Sequence, residues 1–182
     1  MRLCVGLLWA GLAMMMGGCA SLSKDQCKTV EWGQQGERDA FDGYARERLE
    51  EHARACGDYG VRPDRDAYFT GYQQGLLRFC RPQRGFDFGR ADHTYRNTCP
   101  VELDAAFQNG YRAGKALYAE ERTKSGIEYK VREAEKKLKN AAADEERTRL
   151  RNELRELDSA LIDSNRKLRR LDEDIAKAGL LR

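Results

Sequence analysis

The sequence predicts an all-α protein in two parts: a small disulfide-stapled three-helix module, followed by a long charged coiled-coil helix or helical hairpin. Glycines and aromatic residues recur at helical spacing in the first part, among four cysteines between residues 27 and 99. Leucines recur in heptads in the second part, which has no proline. Charged residues make up 35% of the chain, against about 25% in globular proteins, and they concentrate in the second part.

The N-terminal segment has the order of a secretory signal: Arg2, an apolar run over residues 3–16, and then Gly17-Gly18-Cys19. The run is shorter than the ~20 residues that span a membrane. Its ending resembles the lipobox of bacterial lipoproteins, in which the cysteine is acylated and becomes the first mature residue. The resemblance implies a signal peptide at residues 1–18, a lipid such as palmitate on Cys19, and a lipid-anchored tether at residues 19–26.

The residue after the lipobox cysteine bears on location. In lipoproteins of this kind an aspartate there retains the protein at the inner membrane. Ala20 therefore implies a lipid anchor in the outer membrane of the bacterial cell envelope, facing the periplasm.

Cys27, Cys56, Cys80 and Cys99 form an even set in a chain expected to be exported, so two disulfides are expected. An antiparallel first helix pair mildly favours Cys27–Cys80 with Cys56–Cys99 over the local pairing of Cys27–Cys56 with Cys80–Cys99. The spacing lacks the short Cys and His repeats of a zinc site, so no metal is expected.

Three helices are predicted in the module at residues 27–118. The first runs from residue 36 or 37 to 55, the second from Pro63-Asp64 to Cys80, and the third starts near residue 101, with a long ordered loop over residues 81–98. Glycine costs about 1 kcal/mol inside a helix relative to alanine. We therefore expect the second and third helices to cross where their glycines share one face, at Gly71, Gly75, Gly110 and Gly114.

Residues 27–118 resemble a family of short bacterial lipoproteins catalogued as a domain of unknown function. The elements that carry the resemblance are Cys27, Trp32, Gly36, Asp42-Gly43, His52, Cys56, Gly60, Tyr68, Gly71, Gly75-Leu76, Cys80, Gly85-Phe86, Gly89, Tyr95, Cys99-Pro100, Phe107, Gly110-Tyr111 and Gly114. One departure is Asp39-Ala40, where a tighter Asp-Gly is expected. The resemblance implies topology and location, and it implies no chemistry.

Residues 119–182 are predicted to form a coiled coil. The seam is Leu150, Leu154, Leu157, Leu161, Ser164, Leu168, Leu171, Ile175 and Ala178. An upstream seam (Ile127, Val131, Ala134, Leu138, Ala141) has a phase two residues off, which a hairpin near residues 140–146 would reset. No glycine or proline marks a turn there, so a continuous rod remains the alternative.

No catalytic or cofactor-binding motif is present, so neither enzymatic activity nor a cofactor is expected. The carboxyl groups of Asp39, Asp42, Asp66 and Asp104 could pair as in a glycosidase. Asp66 and Asp104 lie near predicted helix starts, however, where acidic groups favour the helix dipole in any case. We expect His52, on the apolar stripe of the first helix, to be packed and hydrogen-bonded.

The densest polar and aromatic cluster is the predicted loop, whose candidate recognition residues are Phe86, Asp87, Arg90, His93 and Tyr95. Such residues could instead simply cover the core. Removing the signal changes the net charge from +3 to +2, too close to neutral to indicate a nucleic-acid partner. We expect a non-enzymatic envelope protein that binds a protein partner, or itself, through the coiled coil; the alternative is a small-ligand or cell-wall-binding module using the 85–95 loop.

Overall fold

The computed structural model describes residues 20–180, and all the regular structure in this range is helical, as predicted. Its helices are α1 (Lys24–Thr29), α2 (Trp32–Phe41), α3 (Arg48–Gly57), α4 (Arg65–Phe79), α5 (Pro82–Arg90), α6 (Val101–Asn140) and α7 (Asp144–Lys177). The predicted signal peptide and Cys19 lie outside the described residues. None of the described helices is both long and apolar enough to cross a membrane.

The first part of the protein is built from two pairs of helices, α2 with α4 and α5 with α6, each crossing at glycines. A Cβ on Gly36 would overlap the carbonyl oxygen of Tyr68, and one on Gly71 would overlap that of Gly33. In the second pair, a Cβ on Gly110 would overlap the carbonyl oxygen of Pro82. Close packing at glycines is confirmed, but the expected partners were wrong, because α4 and α6 each cross a different helix.

The two pairs correspond residue by residue. An offset of 49 residues relates α2 to α5, and an offset of 39 residues relates α4 to α6. The matched positions are Gly36 with Gly85, Ala40 with Gly89, Gly43 with Asp92, Gly71 with Gly110, and Gly75 with Gly114. In both pairs the contacts advance together along the two helices, so the paired helices run parallel.

One hydrogen bond is also repeated. The Tyr72 hydroxyl donates to the Tyr44 carbonyl at 2.7 Å, and the Tyr111 hydroxyl donates to the His93 carbonyl at 2.8 Å. The same offsets relate these donors and acceptors. The module is thus an internal repeat of one helix-pair unit, whose two connections differ in length.

The first predicted helix is divided into α2 and α3 because α2 ends at a left-handed Gly43, with φ 79°. The amide of Gly43 donates to the Ala40 carbonyl and that of Tyr44 to the Asp39 carbonyl, which is the Schellman arrangement of a helix C-terminus. The Asp42-Gly43 step was a helix-ending signal inside the periodic stripe.

The prediction of a loop over residues 81–98 was wrong in its first half. Pro82 occupies the first turn of α5, where its missing amide hydrogen costs nothing. Gly85 and Gly89, interpreted as loop glycines, face α6. After α5, the connection from Ala91 to Pro100 has no regular structure.

All four predicted cysteines form disulfides, but the favoured pairing was wrong: the bridges are Cys27–Cys56 and Cys80–Cys99, with Cα–Cα distances of 5.4 and 5.7 Å. The reason is the parallel direction of the helix pairs. Parallel helices begin at the same end, so the cysteines that precede the two helices of a pair lie together. The expectation assumed an antiparallel pair.

The two pairs share one aromatic core. The Phe79 ring of α4 lies 5.1 Å from the Phe88 ring of α5 and 4.7 Å from the Phe107 ring of α6, between centroids. All three side chains are buried. This contact holds the two repeats together as one body.

The second part of the protein is a helical hairpin and not a continuous helical rod. α6 ends at Asn140 and α7 begins at Asp144, and Leu117 of α6 lies in one apolar cluster with Ile175 of α7. The helices are therefore antiparallel. Every predicted seam residue of α7 is buried or half-buried except Ala178, which is exposed.

Candidate functional site

A buried polar cluster centres on Asp39 of α2. Its Oδ2 accepts hydrogen bonds from His52 Nε2 and from the Tyr68 hydroxyl, both at 2.7 Å, and its Oδ1 accepts one from Gln35 Nε2 at 2.9 Å. Asp39 is 4% exposed and His52 is 1% exposed. Burial, followed by the hydrogen bond to Asp39, raises the pKa of Tyr68 well above its usual range.

The cluster extends to the N-terminal segment. His52 Nδ1 lies 2.8 Å from the Ser21 hydroxyl. Because the Asp39 carboxylate only accepts, His52 Nε2 is the donor in the bond to Asp39. The packed, hydrogen-bonded His52 is as predicted. Asp39 also lies here, but Asp42 is exposed on the surface, and among residues 20–180 the side-chain partners of Asp39 include no carboxylate.

Ser21, His52 and Asp39 have the composition of a hydrolase triad but not its arrangement. In serine hydrolases of this kind the serine lies at Nε2 and the acid at Nδ1, whereas here the two are exchanged. The cavities described below are lined by other residues. The cluster therefore supports a positioning role: it joins the N-terminal segment, α2, α3 and α4.

Residues 21–29 fold onto the module, although a tether was expected over residues 19–26. Leu22 is buried against Cys27 and Cys56. Ser23 caps α1, its hydroxyl accepting from the amide of Gln26, while the Gln26 side chain accepts from the amide of Ser23. Ala20 is the only described residue before this docked segment.

The five predicted recognition residues do not form one surface. Phe86 is 3% exposed and packs in a cluster with Leu117 and Ile175, so its assignment to a surface was wrong. Asp87 lines one cavity and His93 another. Arg90 of α5 pairs with Glu121 at 3.0 Å. Recognition by the exposed residues stays a prediction.

Tyr95, the fifth of these residues, holds the connection against α6. Its hydroxyl donates to Asp104 and accepts from the amide of Cys99 at 3.0 Å. Its ring lies 4.6 Å from that of Phe107. Burial, and then the hydrogen bond to Asp104, raise the pKa of Tyr95. Asp104 is thereby engaged within the fold.

Arginines surround the aromatic rings of the α2–α3 turn and the start of α4. Each of three rings lies within 6 Å of two guanidinium groups, the range of a cation–π contact. The sets are Phe41 with Arg78 and Arg84, Tyr44 with Arg48 and Arg96, and Phe69 with Arg46 and Arg65. No sequence pattern predicted this surface, because the rings and the arginines come from separate segments.

The root of the hairpin is fastened to the module. Ile175 and Leu180 pack against Phe86 and Leu117, and the Gln83 side-chain amide donates to the Gly179 carbonyl at 3.1 Å. α6 itself runs without a break from the module into the hairpin. No linker therefore separates the two parts at residue 118, where the sequence analysis placed a boundary.

The described residues define an all-α protein made of two disulfide-stapled helix pairs and an antiparallel coiled-coil hairpin. Residues 31–116 match the model of a family described as Protein of unknown function (DUF2799). This match covers both helix pairs and ends where the hairpin leaves them. It supports the resemblance to a family with a domain of unknown function. No curated protein and no solved structure matches the chain.

Proposed function

We propose that this protein is a lipid-anchored, non-enzymatic component of the bacterial cell envelope that presents a rigid coiled-coil arm to a protein partner. The arm is the hairpin over residues 119–174. The observation that carries the proposal is the continuity of α6, which belongs to the stapled module over its first half and to the arm over its second. From residue 119 to its end, α6 extends the arm by about 33 Å at 1.5 Å per residue.

The arm has little freedom at its base. The end of α7 and the residues that follow it pack on α5 and α6 through Ile175 and Leu180, so both helices of the arm are attached to the module. A single helix would bend more readily than two helices packed against each other. The partner would thus meet the arm at a defined direction from the module.

A partner would contact the outside of the arm, because the leucine seam of α7 is covered by the opposite helix, α6. Tyr129 is 60% exposed and Ile162 is 45% exposed, large apolar residues in a charged surface. Tyr129 lies on α6 and Ile162 on α7, so each helix of the arm carries one exposed large apolar residue. The two side chains are our candidate contact residues.

The N-terminal segment supports anchoring close to the membrane. Ser21 is bonded to His52, and Leu22 is buried. Only Ala20 separates Ser21 from the predicted lipid-bearing Cys19. A lipid at that position would therefore sit directly beside the module, with several acyl chains giving stable attachment.

The lipid anchor is tested by mass spectrometry of the protein purified from bacterial membranes. We expect a mature chain beginning at Cys19 with added acyl mass, and release from membranes for Cys19→Ser. A chain that retains its first methionine and carries no acyl mass would refute the anchor.

The arm is tested by crosslinking in intact cells followed by mass spectrometry. One variant removes residues 131–137 from α6 and 154–160 from α7. Because each deletion is one heptad, the seam is preserved while the arm becomes about 10 Å shorter. A second carries Tyr129→Ser and Ile162→Ser, with Leu77→Ser, an exposed leucine of α4, as the matched control. We expect one protein to crosslink to arm lysines of the natural chain and of the control, and much less to both arm variants. Equal crosslinking in all four proteins, or none to the arm, would contradict the proposal.

A further inference from the structure

A cleft of about 500 Å³ lies between the α2–α3 turn, α4 and the connection that leads into α6. None of the residues that line it belongs to the arm or to residues 85–95. The residues that matter for its chemistry are Arg46, Phe69, Tyr72, Leu76, Arg96 and Thr98. Its volume falls in the range of small-molecule sites.

The rim of the cleft is cationic. The guanidinium of Arg46 lies 4.9 Å from the centre of the Phe69 ring, and that of Arg96 lies 5.5 Å from the centre of the Tyr44 ring. Within residues 20–180, neither arginine forms an ion pair, whereas the neighbouring Arg65 pairs with a glutamate. Glu47 also lines the cleft, which leaves these groups with one net positive charge.

The wall of the cleft holds an unused hydrogen-bonding group. Thr98 Oγ1 is buried and has no hydrogen-bond partner among the described residues. An unpaired buried hydroxyl is unfavourable, because it has lost its hydrogen bonds to water without gaining a partner in the protein. Next to it, Asn97 has φ 53°, a left-handed conformation uncommon outside glycine.

The helix α6 starts at the same rim. Pro100, its N-cap, lines the cleft and provides no side-chain cap. The positive end of the helix dipole therefore adds to the two arginines. The apolar part of the wall includes Phe69, Leu76 and the ring of Tyr72, whose hydroxyl is already bonded to the Tyr44 carbonyl.

We propose that this cleft binds a small ligand that carries a carboxylate or phosphate group beside a ring or other apolar body. The anionic group binds Arg46 and Arg96, accepts a hydrogen bond from the Thr98 hydroxyl, and lies near the start of α6. The apolar body packs on Phe69 and Leu76. Because guanidinium groups bind both anions in bidentate geometry, the shared chemistry is an oxyanion.

The test is isothermal titration of the full chain at low ionic strength with three probes: phenyl phosphate, benzoate and neutral benzyl alcohol. We expect binding of one or both anions and none of benzyl alcohol, and the stronger anion identifies the ligand class. Arg46→Gln, Arg96→Gln and Thr98→Val should each weaken binding at least fivefold. Arg132→Gln, which removes an exposed charge of the arm, is the matched control and should change binding less than twofold.

Thr98→Val also separates a binding role from a structural one. The substitution keeps the side-chain shape and removes the unpaired hydroxyl, so the midpoint of thermal unfolding should not fall while binding weakens. Three results would overturn the proposal: no binding of either anion at a probe concentration of about 10 mM, tenfold above a Kd of 1 mM; equal weakening by Arg132→Gln; or unchanged binding in all three cleft variants.

Discussion

The two helix pairs of the module share one backbone arrangement but differ in what they bury. Position 39 in the first pair is equivalent to position 88 in the second, and position 68 to position 107. The first pair places the hydrogen-bonded Asp39 and Tyr68 there. The second places Phe88 and Phe107, whose ring centroids are 6.4 Å apart.

The difference shows that two separate sets of residues act in each repeat. One set fixes the backbone arrangement, which we call the frame, and the other supplies the buried side chains, which we call the filling. Glycines at the crossing and a disulfide at the start of each pair set the frame in both copies. The filling decides which other segments of the chain pack on each helix pair. The polar filling holds α3 and the N-terminal segment through His52 and Ser21, whereas the apolar filling joins the two pairs through Phe79.

The largest expected effect is the loss of the polar filling. Asp39→Ala leaves the buried donors of Gln35, His52 and Tyr68 without an acceptor, and we expect the free energy of unfolding to fall by about 3–5 kcal/mol. Hydrogen exchange should show early loss of protection in α3. Urea denaturation measures the change, and the exposed Asp42→Ala should cost less than about 0.5 kcal/mol. A loss in Asp39→Ala as small as in the control would show the cluster to be dispensable.

Removing each disulfide in turn tests whether the two helix pairs depend equally on their bridges for stability. The Cys27–Cys56 bridge spans 29 residues and the Cys80–Cys99 bridge spans 19. Replacing either pair by serines should cost about 3–4 kcal/mol, slightly more for the longer loop. Peptide mapping of the unreduced protein checks the connectivity first; recovery of a Cys27–Cys80 peptide would contradict the parallel arrangement.

The glycines give a smaller effect that should be equal in both repeats. Gly71→Ala and Gly110→Ala, at equivalent positions, each bring a methyl group onto a backbone carbonyl of the crossing helix. We expect a loss of about 1–3 kcal/mol for each. Gly126→Ala lies in the same helix as Gly110 but meets no atom within 4 Å, so it should stabilise by about 1 kcal/mol. Thermal unfolding distinguishes these signs, and stabilisation by all three would refute close crossing.

The smallest effect concerns the tyrosine that both repeats use to fasten a turn. Burial, followed by the charge of Glu47, raises the pKa of Tyr72 from 10.0 to about 12. Above pH 10 the unfolded chain releases this proton while the folded chain keeps it, so stability falls as the pH rises from 10 to 12. By pH 11 this amounts to about 1.4 kcal/mol.

Urea denaturation at pH 9 and pH 11 measures this pH dependence. Tyr72→Phe should show less loss than the natural chain. Tyr111→Phe serves as the equivalent substitution in the other repeat. If Tyr72→Phe loses as much stability as the natural chain between these two pH values, the loss does not come from the Tyr72 hydroxyl.

Local patterns were reliable guides to several elements. The seam of α7 and the phase offset before it indicated a hairpin, since a heptad repeat records which residues must be covered. The stop at Cys80 and the start at residue 101 were likewise recognised. The division at Gly43 and the presence of α5 were missed, because an apolar stripe continued past one stop signal and glycines were interpreted as loop residues. In the candidate site, His52 was correctly described as packed, but its partners Asp39, Tyr68 and Ser21 come from three other segments.

The sequence by itself determined the helical class, the participation of four cysteines in disulfides and the heptad seam of α7, because each depends on spacing within a short stretch. Only the tertiary structure decided which cysteines pair, which glycines meet and where the cationic cleft forms. Those depend on the direction in which helices cross, and the parallel α2–α4 and α5–α6 pairs bring together residues that local periodicity does not relate.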